Sequence, residues 1–409
     1  MCANPVVMIS SYPPRPCRIG AFCQEAREFI AKRHPEREVV VISHIDGAGD
    51  GVFPIIDTSK RRWWRRVAKR ISKLDPCVVH IEHERSLYEY VDGRGRGDRN
   101  EGFLDLLAAI SDWPIVVEPH TMPARLRDDE AEFAYNLCDQ ADVVLFKHPY
   151  QRWRLDWTFS GLKWKTPRNI LVVPPGARPD KRWGPADIPA LRAELGLDRI
   201  PGLSMHLIGL VGWIQDNKRW DILISMWSEI AHEIQARSGE DWDLLAAGAM
   251  RDPFDAANYE HGTGEVQRVE LPGLAHYYEF VPQGDMEYKM MAVCDFLVFL
   301  ATDEAQSGTL AKIIALNKPY IIMAPLEGLT AQTLESEGGL SFTTKEMLRD
   351  KVIRMACDEK LRMELGSNLQ RYLENVVSWE MVAARYDEAY QLARQAKETG
   401  KKVELPTEF

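Results

Sequence analysis

The sequence predicts an α/β protein built from two doubly wound parallel sheets. Two observations support this prediction: short apolar runs alternate with helical patterns, and the alternation starts again after a polar, proline-rich stretch at residues 176–187. With 409 residues and 45% hydrophobic content, the chain is long enough to bury two cores. We therefore expect two domains.

Six apolar runs in the first part of the chain predict the strands of the first sheet. They are continuously apolar rather than alternating, which is typical of parallel strands that helices cover on both faces. The runs are VVMIS (6–10), VVVIS (39–43), CVVHI (77–81), PIVVE (114–118), DVVLF (142–146) and ILVV (170–173).

Five further runs predict the second sheet: HLIGLVG (206–212), DLLAAG (243–248), HYYEFV (276–281), DFLVFL (295–300) and YIIM (320–323). We place an N-terminal domain at residues 1–190 and a C-terminal domain at residues 191–375. Residues 376–409 contain an amphipathic helical pattern that follows no strand. We expect this helix to pack back across the domain junction.

Composition limits the expected location and partners. The seven cysteines are scattered without a CxxC pair, which argues against a zinc site and for a reducing compartment. The sequence shows no apolar leader and no run long enough to span a bilayer, so we expect a cytoplasmic protein. The net charge of −10 gives no overall attraction to nucleic acid.

The stretch DEAQSGTLAK (303–312) lies between a predicted strand and a predicted helix. Ser307, Gly308 and Thr309 would begin that helix, where backbone amides and the helix dipole suit a phosphate. Gly308 would allow close approach to the backbone, and Ser307 would cap the helix or bond a phosphate oxygen. Glu304 would then accept sugar hydroxyls beside the phosphate. Alternatively, the two acids merely favour a helix N-terminus.

The longer stretch DEAQSGTLAKIIALNKPYII resembles the donor-binding motif of retaining GT-B glycosyltransferases of the family-4 type (group 1). Glu304 matches the first glutamate of that motif, which in the family contacts the transferred sugar. Lys312 stands where the family has a second glutamate that holds the nucleotide ribose, and it would pair instead with a phosphate or with Asp303. The resemblance implies a GT-B fold, with two Rossmann-like domains that face each other across a cleft.

Two more stretches of the C-terminal half carry the resemblance. FVPQGDMEYKMMAVCDFLVFLATDE (280–304) is similar to a segment whose loop reads the nucleotide base through backbone groups, with Val281 and Pro282 at the matching positions. LVGWIQDNKRWDILI (210–224) is similar to a Gly-Arg-x4-Lys loop whose cations clamp the donor diphosphate. Lys218 matches the lysine, Trp213 stands at the arginine position, and Arg219 is a candidate for the missing cation. The donor-binding residues that the resemblance implies are Gly20, Gly212, Lys218, Arg219, Val281, Pro282, Ser307, Gly308, Thr309, Leu310 and Lys312.

The N-terminal half resembles the family in a glycine loop and a strand-end histidine. YPPRPCRIGAFCQEAREFI (12–30) keeps Gly20 of that loop, with Arg18 nearby as a charge for phosphate or acceptor. VVEPHTM (116–122) places His120 where the family has a histidine near the anomeric centre. VVHIEHERSLYEY (78–90) suggests an acceptor pocket at His83. A metal site formed by His80, Glu82, His83 and Glu84 is the alternative, but side chains alternate in direction along a strand and would divide these four residues between its two faces.

The segment KRRWWRRVAKRISK (60–73) combines many positive charges with apolar residues at helical spacing. Its apolar stripe predicts a helix that packs on the sheet, whereas its excess charge and Trp63 have no packing explanation. We therefore predict peripheral contact with an anionic membrane surface, or with a polyanionic acceptor.

The resemblance implies a retaining hexosyltransferase that uses a nucleoside-diphosphate sugar, and we expect it to need no metal or cofactor. The acceptor would be a polysaccharide, a glycolipid or a small molecule. Glu304, His120 and Lys218 are the expected catalytic residues. Because Lys312 and Trp213 depart from the family pattern, the alternative is a catalytically impaired subunit that serves as a partner or scaffold.

Overall fold

The chain forms two compact units. Unit 1 contains Met1–Gly176 together with Trp379–Phe409, and unit 2 contains Ala177–Ser378. The first change of unit thus precedes the expected position at residue 190, and the last helix belongs to unit 1. The structure, a computed structural model, describes residues 4–122, 126–250, 275–282, 284–302 and 307–405.

Unit 1 is built on a seven-stranded sheet with the order β3-β2-β1-β4-β5-β6-β7, in which all paired strands are parallel. The sequence predicted every strand except β3. The strands are β1 (Val6–Ser10), β2 (Val39–His44), β3 (Val52–Ile56), β4 (Val78–His83), β5 (Ile115–Pro119), β6 (Val143–Phe146) and β7 (Ile170–Val172).

Helices cover both faces of this sheet, as its apolar strands require. Their bounds are α1 (Arg18–Arg33), α2 (Trp64–Leu74), α3 (Arg85–Tyr88), α4 (Glu101–Ala109), α5 (Asp128–Gln140) and α6 (Pro149–Gly161). Helices α2, α4, α5 and α6 share one core with one face of the sheet, while α1 packs in the core of the opposite face.

The position of Trp63 differs from what the sequence suggested. Trp63, directly before α2, is 1% exposed, and its ring stacks on Tyr88 with 5.6 Å between centroids. Packing therefore accounts for this tryptophan, which the sequence left without a packing role. The outward face of α2 carries basic side chains such as Arg65, Arg66 and Lys69.

Unit 2 is built on a six-stranded parallel sheet with the order β10-β9-β8-β11-β12-β13. The sequence predicted the first five strands along the chain but not β13. The strands are β8 (His206–Ile214), β9 (Trp242–Met250), β10 (Ala275–Glu279), β11 (Phe296–Phe299), β12 (Tyr320–Met323) and β13 (Gly339–Phe342).

Two cores flank the sheet of unit 2, one on each face. Helices α8 and α12 contribute to one core, and α7, α9, α10 and α11 contribute to the other. The helices are α7 (Ile188–Glu194), α8 (Trp220–Ser238), α9 (Gly284–Ala292), α10 (Gly308–Ala315), α11 (Glu327–Ser336), α12 (Lys345–Cys357) and α13 (Glu359–Tyr372).

The last helix, α14 (Trp379–Thr399), returns to unit 1 and packs beside α1. Its Trp379 is fully buried, lies 4.9 Å from the Phe22 ring, and donates an indole N–H bond to Glu25 at 2.8 Å. A Cβ on Gly176 would collide with this indole. Among the described residues, we find no helix whose length and apolar content would allow it to cross a bilayer.

Candidate functional site

Sheet topology indicates where a ligand would bind in each unit. Ligands of open parallel sheets bind beyond the carboxyl ends of the strands, where the strand order reverses. This reversal falls between β1 and β4 in unit 1 and between β8 and β11 in unit 2. The predicted residues of unit 2 lie mainly around the ends of β8 and β11, and those of unit 1 around the ends of β1, β4 and β5.

Gly212 brings the end of β8 close to the start of α10. Its φ of 141° lies in a region that favours glycine, and a Cβ there would lie 3.8 Å from Thr309 Oγ1. On the other side, Gly212 pairs with Gly248 of β9, where a Cβ would collide with the Gly212 carbonyl oxygen. The two glycines therefore allow three chain segments to meet at this edge of the sheet.

Lys218 lies at the same edge, at the end of a 3₁₀ turn formed by Asp216–Lys218. The side chain is buried, and its Nζ lies 4.7 Å from the centroid of the Phe299 ring at the end of β11. The neighbouring Asn217 carbonyl accepts a hydrogen bond from the Thr302 amide at 2.9 Å. The loop after β8 is thus tied to the loop after β11.

The first turn of α10 has the geometry predicted for a cap. Ser307 Oγ accepts a hydrogen bond from the Leu310 amide at 3.5 Å, and both residues are buried together with Thr309. Gly308 is exposed, and among the described residues beyond its own chain neighbours and helix backbone, no atom lies within 4 Å of the place where its Cβ would be. The described residues therefore leave the backbone of this turn uncovered at Gly308. The predicted catalytic Glu304 lies outside the described residues.

Two predicted cations of the donor site have carboxylate partners within the protein. The Arg219 guanidinium donates two hydrogen bonds to Asp221, each 3.0 Å long, and these bonds raise the pKa of Arg219. Lys312 forms an ion pair with the buried Glu287 of α9. This partner does not follow from the sequence pattern around Lys312. The pairing with Asp303 that it suggested lies outside the described residues.

Val281 and Pro282 follow β10 at the same edge of the sheet. Val281 is exposed and Pro282 is buried. The preceding residue, Phe280, donates its amide to the Gly248 carbonyl at 3.2 Å, which joins this segment to the end of β9. The predicted backbone contacts of both residues with a nucleotide base stay predictions.

Unit 1 contains a buried polar cluster where its central strands end. Glu118 lies at its centre: Lys147 forms an ion pair with it, His80 Nε2 is 2.9 Å from one carboxylate oxygen, and the Tyr386 hydroxyl lies within 3.1 Å of both. His80 Nδ1 lies 2.8 Å from the Tyr390 hydroxyl. The cluster consists of His80, Glu82, Glu118, His120, Lys147, Tyr386 and Tyr390.

Burial sets the charge states in this cluster. It lowers the pKa of His80 to about 4 and that of Lys147 to about 7. Burial alone would raise the pKa of Glu82, but the charge of His120 and its hydrogen bond outweigh burial and lower that pKa. At neutral pH, Glu82 is therefore a carboxylate and His80 is neutral.

His120 is held in place by three contacts. Its Nε2 is hydrogen-bonded to the Glu82 carboxylate, and its main-chain amide donates to the His83 carbonyl at 2.8 Å. The edge of Phe22 packs against the imidazole with 4.9 Å between ring centroids. The His120 side chain is 10% exposed, so the ring has a fixed orientation and retains some access to solvent.

The cluster also bears on the metal site that the sequence analysis considered. Ligand atoms of His80, Glu82 and Glu118 lie within 4.8 Å of one another, a spacing that a metal ion could use. However, both ring nitrogens of His80 are hydrogen-bonded, and the Lys147 ammonium already pairs with Glu118. Lys147 thus already occupies a position on Glu118 that a metal ion would need. As strand alternation predicts, the His83 ring lies apart from this set.

Three other predicted residues of unit 1 make internal contacts. The buried His83 ring lies 4.4 Å from the Phe103 centroid, and burial lowers the pKa of His83 to about 3. A Cβ on Gly20 would lie 3.2 Å from the Tyr12 backbone, so this glycine lets α1 approach the chain after β1. Arg18 begins α1 and is partly exposed. Acceptor binding by Arg18 and His83 stays a prediction.

From the sequence alone, Glu118 and Lys147 have no predicted role, and Glu82 is only a candidate ligand of the alternative metal site. Each follows or ends a continuously apolar run, at the carboxyl end of β4, β5 or β6. A charged residue at the end of a buried strand was the signal that could have identified them, because buried charges require partners. The partner of Glu118 in α14, Tyr386, is 268 residues away along the chain and could not be identified from local pattern.

Comparison with known proteins identifies the fold. No protein-family model and no curated protein sequence matches the chain. A glycosyltransferase from Rickettsia africae is similar with a TM-score of 0.71 at 12% identity, over 96% of this chain and 99% of that chain. HepE from Anabaena in complex with UDP has a TM-score of 0.68 at 15% identity, over 95% and 99%.

Sucrose-phosphate synthase from Thermosynechococcus elongatus gives a similar result. Its TM-score is 0.66 at 15% identity, over 96% of this chain and 100% of that chain. The two parallel sheets of this chain, with seven and six strands and flanking helices, match the architecture of these structures. The chain therefore has the GT-B fold of glycosyltransferases, which confirms the fold class predicted from the sequence.

Proposed function

We propose that the protein transfers a sugar from a nucleoside-diphosphate sugar to a hydroxyl group of an acceptor. The observation that carries this proposal is the convergence of Gly212, Lys218 and the start of α10 where the strand order of unit 2 reverses. Such a place offers amides and a cation to a diphosphate. The fold supports the same proposal, since HepE was crystallised with UDP and with UDP-glucose.

The donor half of the site would act on the leaving group. When the anomeric C–O bond breaks, negative charge grows on the diphosphate. Lys218 and the amides of Gly308 and Thr309 would stabilise this charge increasingly as it develops. Gly212 would keep the approach to Thr309 open, while Val281 and Pro282 would contact the base through their backbone.

The sugar itself would be oriented by His120 and Glu304. For Glu304 the proposal rests on the sequence motif. For His120 it is supported by the contact with Glu82, a buried carboxylate that fixes the orientation of the imidazole and favours a proton on Nε2. Glu82 would thus be a positioning residue that acts through His120.

We further propose that the reaction proceeds with retention of configuration and without a metal. The acceptor oxygen would form its bond to the anomeric carbon on the face that the diphosphate leaves, and the departing phosphate oxygen would take the acceptor proton. A nucleoside diphosphate carrying that proton and a glycosylated acceptor would be the products. A polysaccharide, a glycolipid or a small molecule would serve as the acceptor.

A panel of nucleoside-diphosphate sugars tests the donor assignment. We expect slow hydrolysis of one donor in the absence of acceptor, and a fall of at least about 100-fold in Lys218→Ala, because a preorganised charge at the leaving group contributes that much. Lys360→Ala, which changes an exposed lysine of α13, is the matched control. Equal rates in Lys218→Ala and the wild type would refute the role of Lys218.

A second candidate, a catalytically impaired subunit, is favoured by the internal partners of two predicted cations. Arg219 is bonded to Asp221 and Lys312 to Glu287, so neither charge is directed at a phosphate in this conformation. Titration calorimetry with UDP and UDP-glucose distinguishes the two candidates. Nucleotide binding followed by turnover supports the transferase, whereas a folded protein that binds no member of the donor panel supports the subunit.

A further inference from the structure

Helix α6 presents exposed aromatic side chains in a row. Tyr150, Trp153 and Trp157, which we name the aromatic stripe, are 44%, 43% and 65% exposed. The indoles of Trp153 and Trp157 stack on each other, with 5.9 Å between centroids and an angle of 16° between planes. Their spacing places all three side chains along one face of the helix.

The concentration of apolar surface here is unusual for this protein. All tryptophans that are exposed among the described residues lie in the segment 150–164, where Leu162 and Trp164 follow the helix with 38% and 37% exposure. Other exposed large apolar residues of the described chain, such as Met205, Leu334 and Met363, are dispersed. Contiguous exposed apolar patches mark interaction sites, whereas dispersed residues need no explanation.

The aromatic stripe is not the face of α6 that packs in the core of unit 1. The opposite face of α6 already packs in the core of unit 1 through Leu155 and Phe159, which are 1% and 0% exposed. Phe159 contacts Tyr135 and Trp164, which secures the end of the helix. The helix is therefore anchored, and its outward face is available to another surface.

The charge around the aromatic stripe indicates the kind of surface. The segment 149–168 has five basic residues and one acidic residue, although the whole chain carries a net charge of −10. Lys163 and Lys165 are exposed, and the Arg154 guanidinium carbon lies 5.3 Å from the centroid of the Trp153 ring. Exposed aromatic rings flanked by cations are typical of helices that lie in the interface of an anionic bilayer.

We propose that the aromatic stripe docks the protein on an anionic lipid bilayer. The rings insert at the headgroup level, and Arg154, Lys163 and Lys165 contact the anionic headgroups. Helix α2, the segment in which the sequence analysis expected membrane contact, has the charges but not the anchor, since its Trp63 is buried. Helix α2 contributes at most long-range attraction, while α6 supplies the apolar insertion.

Vesicle flotation of the full chain tests the proposal. Phosphatidylcholine vesicles with and without phosphatidylglycerol are compared, and we expect binding to the anionic vesicles only. The variant Trp153→Ala/Trp157→Ala should lose about tenfold or more in vesicle affinity, because two large apolar anchors are removed. Leu334→Ala/Met363→Ala, which removes exposed apolar residues elsewhere, is the matched control and should bind like the wild type.

A second measurement separates insertion from surface attraction. Brominated phospholipid should quench tryptophan fluorescence of the bound wild type, and Trp153→Phe/Trp157→Phe should still float while it loses this quenching. Arg65→Glu/Arg66→Glu on α2 should retain the quenching. The proposal is overturned if Trp153→Ala/Trp157→Ala binds vesicles like the wild type. It is also overturned if this variant still floats with vesicles but has lost dimerisation or oligosaccharide binding, because the aromatic stripe would then serve a different partner.

Discussion

At the scale of single residues, the start of α10 combines a satisfied cap with an open position. The Ser307 side chain accepts a hydrogen bond from the Leu310 amide, whereas Gly308 leaves the adjacent backbone uncovered among the described residues. The cap stabilises the helix, and the glycine is not required by any positive φ or by a steric clash there. A side chain at position 308 would therefore affect a ligand more than the fold.

The variant Gly308→Asp exploits this difference. An aspartate in the first turn interacts favourably with the helix dipole, so we expect the free energy of unfolding to be unchanged or to rise by up to about 1 kcal/mol. The same charge would repel a diphosphate, and we expect affinity for UDP to fall by about tenfold or more. Urea unfolding and titration calorimetry measure the two effects.

Gly308→Ala is the control, since it adds a methyl group without charge and should bind UDP more tightly than the aspartate variant. Undiminished UDP affinity in Gly308→Asp would mean that the nucleotide does not bind at this turn. A large loss of stability would instead contradict the open environment of Gly308.

Residue-scale prediction from sequence worked where the determinant was local and failed where it was distant. The cap at Ser307 depends on neighbours within one helical turn, so the sequence predicted it correctly. The partner of Lys312 is Glu287 in another helix, and the packing of Trp63 depends on Tyr88 beyond the next strand. Neither contact follows from spacing along the chain.

At the scale of elements, the Lys312–Glu287 ion pair joins α10 to α9. Glu287 is 2% exposed while Lys312 is 25% exposed, so the carboxylate depends on the ammonium more than the reverse. Removing the lysine leaves a buried charge without its partner, which is more costly than removing both charges.

We therefore expect Lys312→Ala to lower the free energy of unfolding by about 2–3 kcal/mol, less than for a fully buried pair because the lysine is partly exposed. The double variant Lys312→Ala/Glu287→Gln should recover a large part of this loss. Urea unfolding followed by circular dichroism gives both values. If the double variant is less stable than the single one, the pair does not have the asymmetric burial described here.

The elements that the sequence did not predict share a position in the fold. Strands β3 and β13 both lie at an edge of their sheets. Their sequences, VFPII and GLSF, include a proline and a glycine with partly exposed neighbours, so they lack the continuous apolar signal of central strands. The central strands were predicted because burial on both faces requires that signal.

At the scale of the whole molecule, unit 1 is expected to be sensitive to acid. Burial lowers the pKa values of His44, His80 and His148 to about 4 and that of His83 to about 3. In the unfolded chain these histidines titrate near their usual pKa of about 6.5. Between these pH values the unfolded state binds more protons than the folded state, so stability falls as the pH falls.

We expect the melting temperature to decrease steeply from about pH 6.5 to pH 4. His80→Gln should flatten part of this dependence, because a shift of this size is equivalent to about 3 kcal/mol when fully developed. Differential scanning fluorimetry across this range provides the measurement. The control His232→Gln changes an exposed histidine of α8 and should show the same pH dependence as the wild type. If the melting temperature of His80→Gln also changes with pH in parallel with that of the wild type, His80 is not the titrating group.

The sequence predicted the number of domains and their fold class, since both follow from repeated local patterns. It did not predict which unit the last helix joins, because an amphipathic face does not specify its partner. The helix joins unit 1 because Tyr386 and Tyr390 form hydrogen bonds with residues in the strands of that unit.

The division of unit 1 into two chain segments has a consequence for biosynthesis. Its sheet is translated before unit 2, but the tyrosines that bond Glu118 and His80 belong to α14 and are translated after unit 2. Unit 2 is continuous and can fold before α14 has left the ribosome. The unit whose synthesis begins first is therefore the one whose buried polar cluster receives its last hydrogen-bond partners only after the other unit has been made.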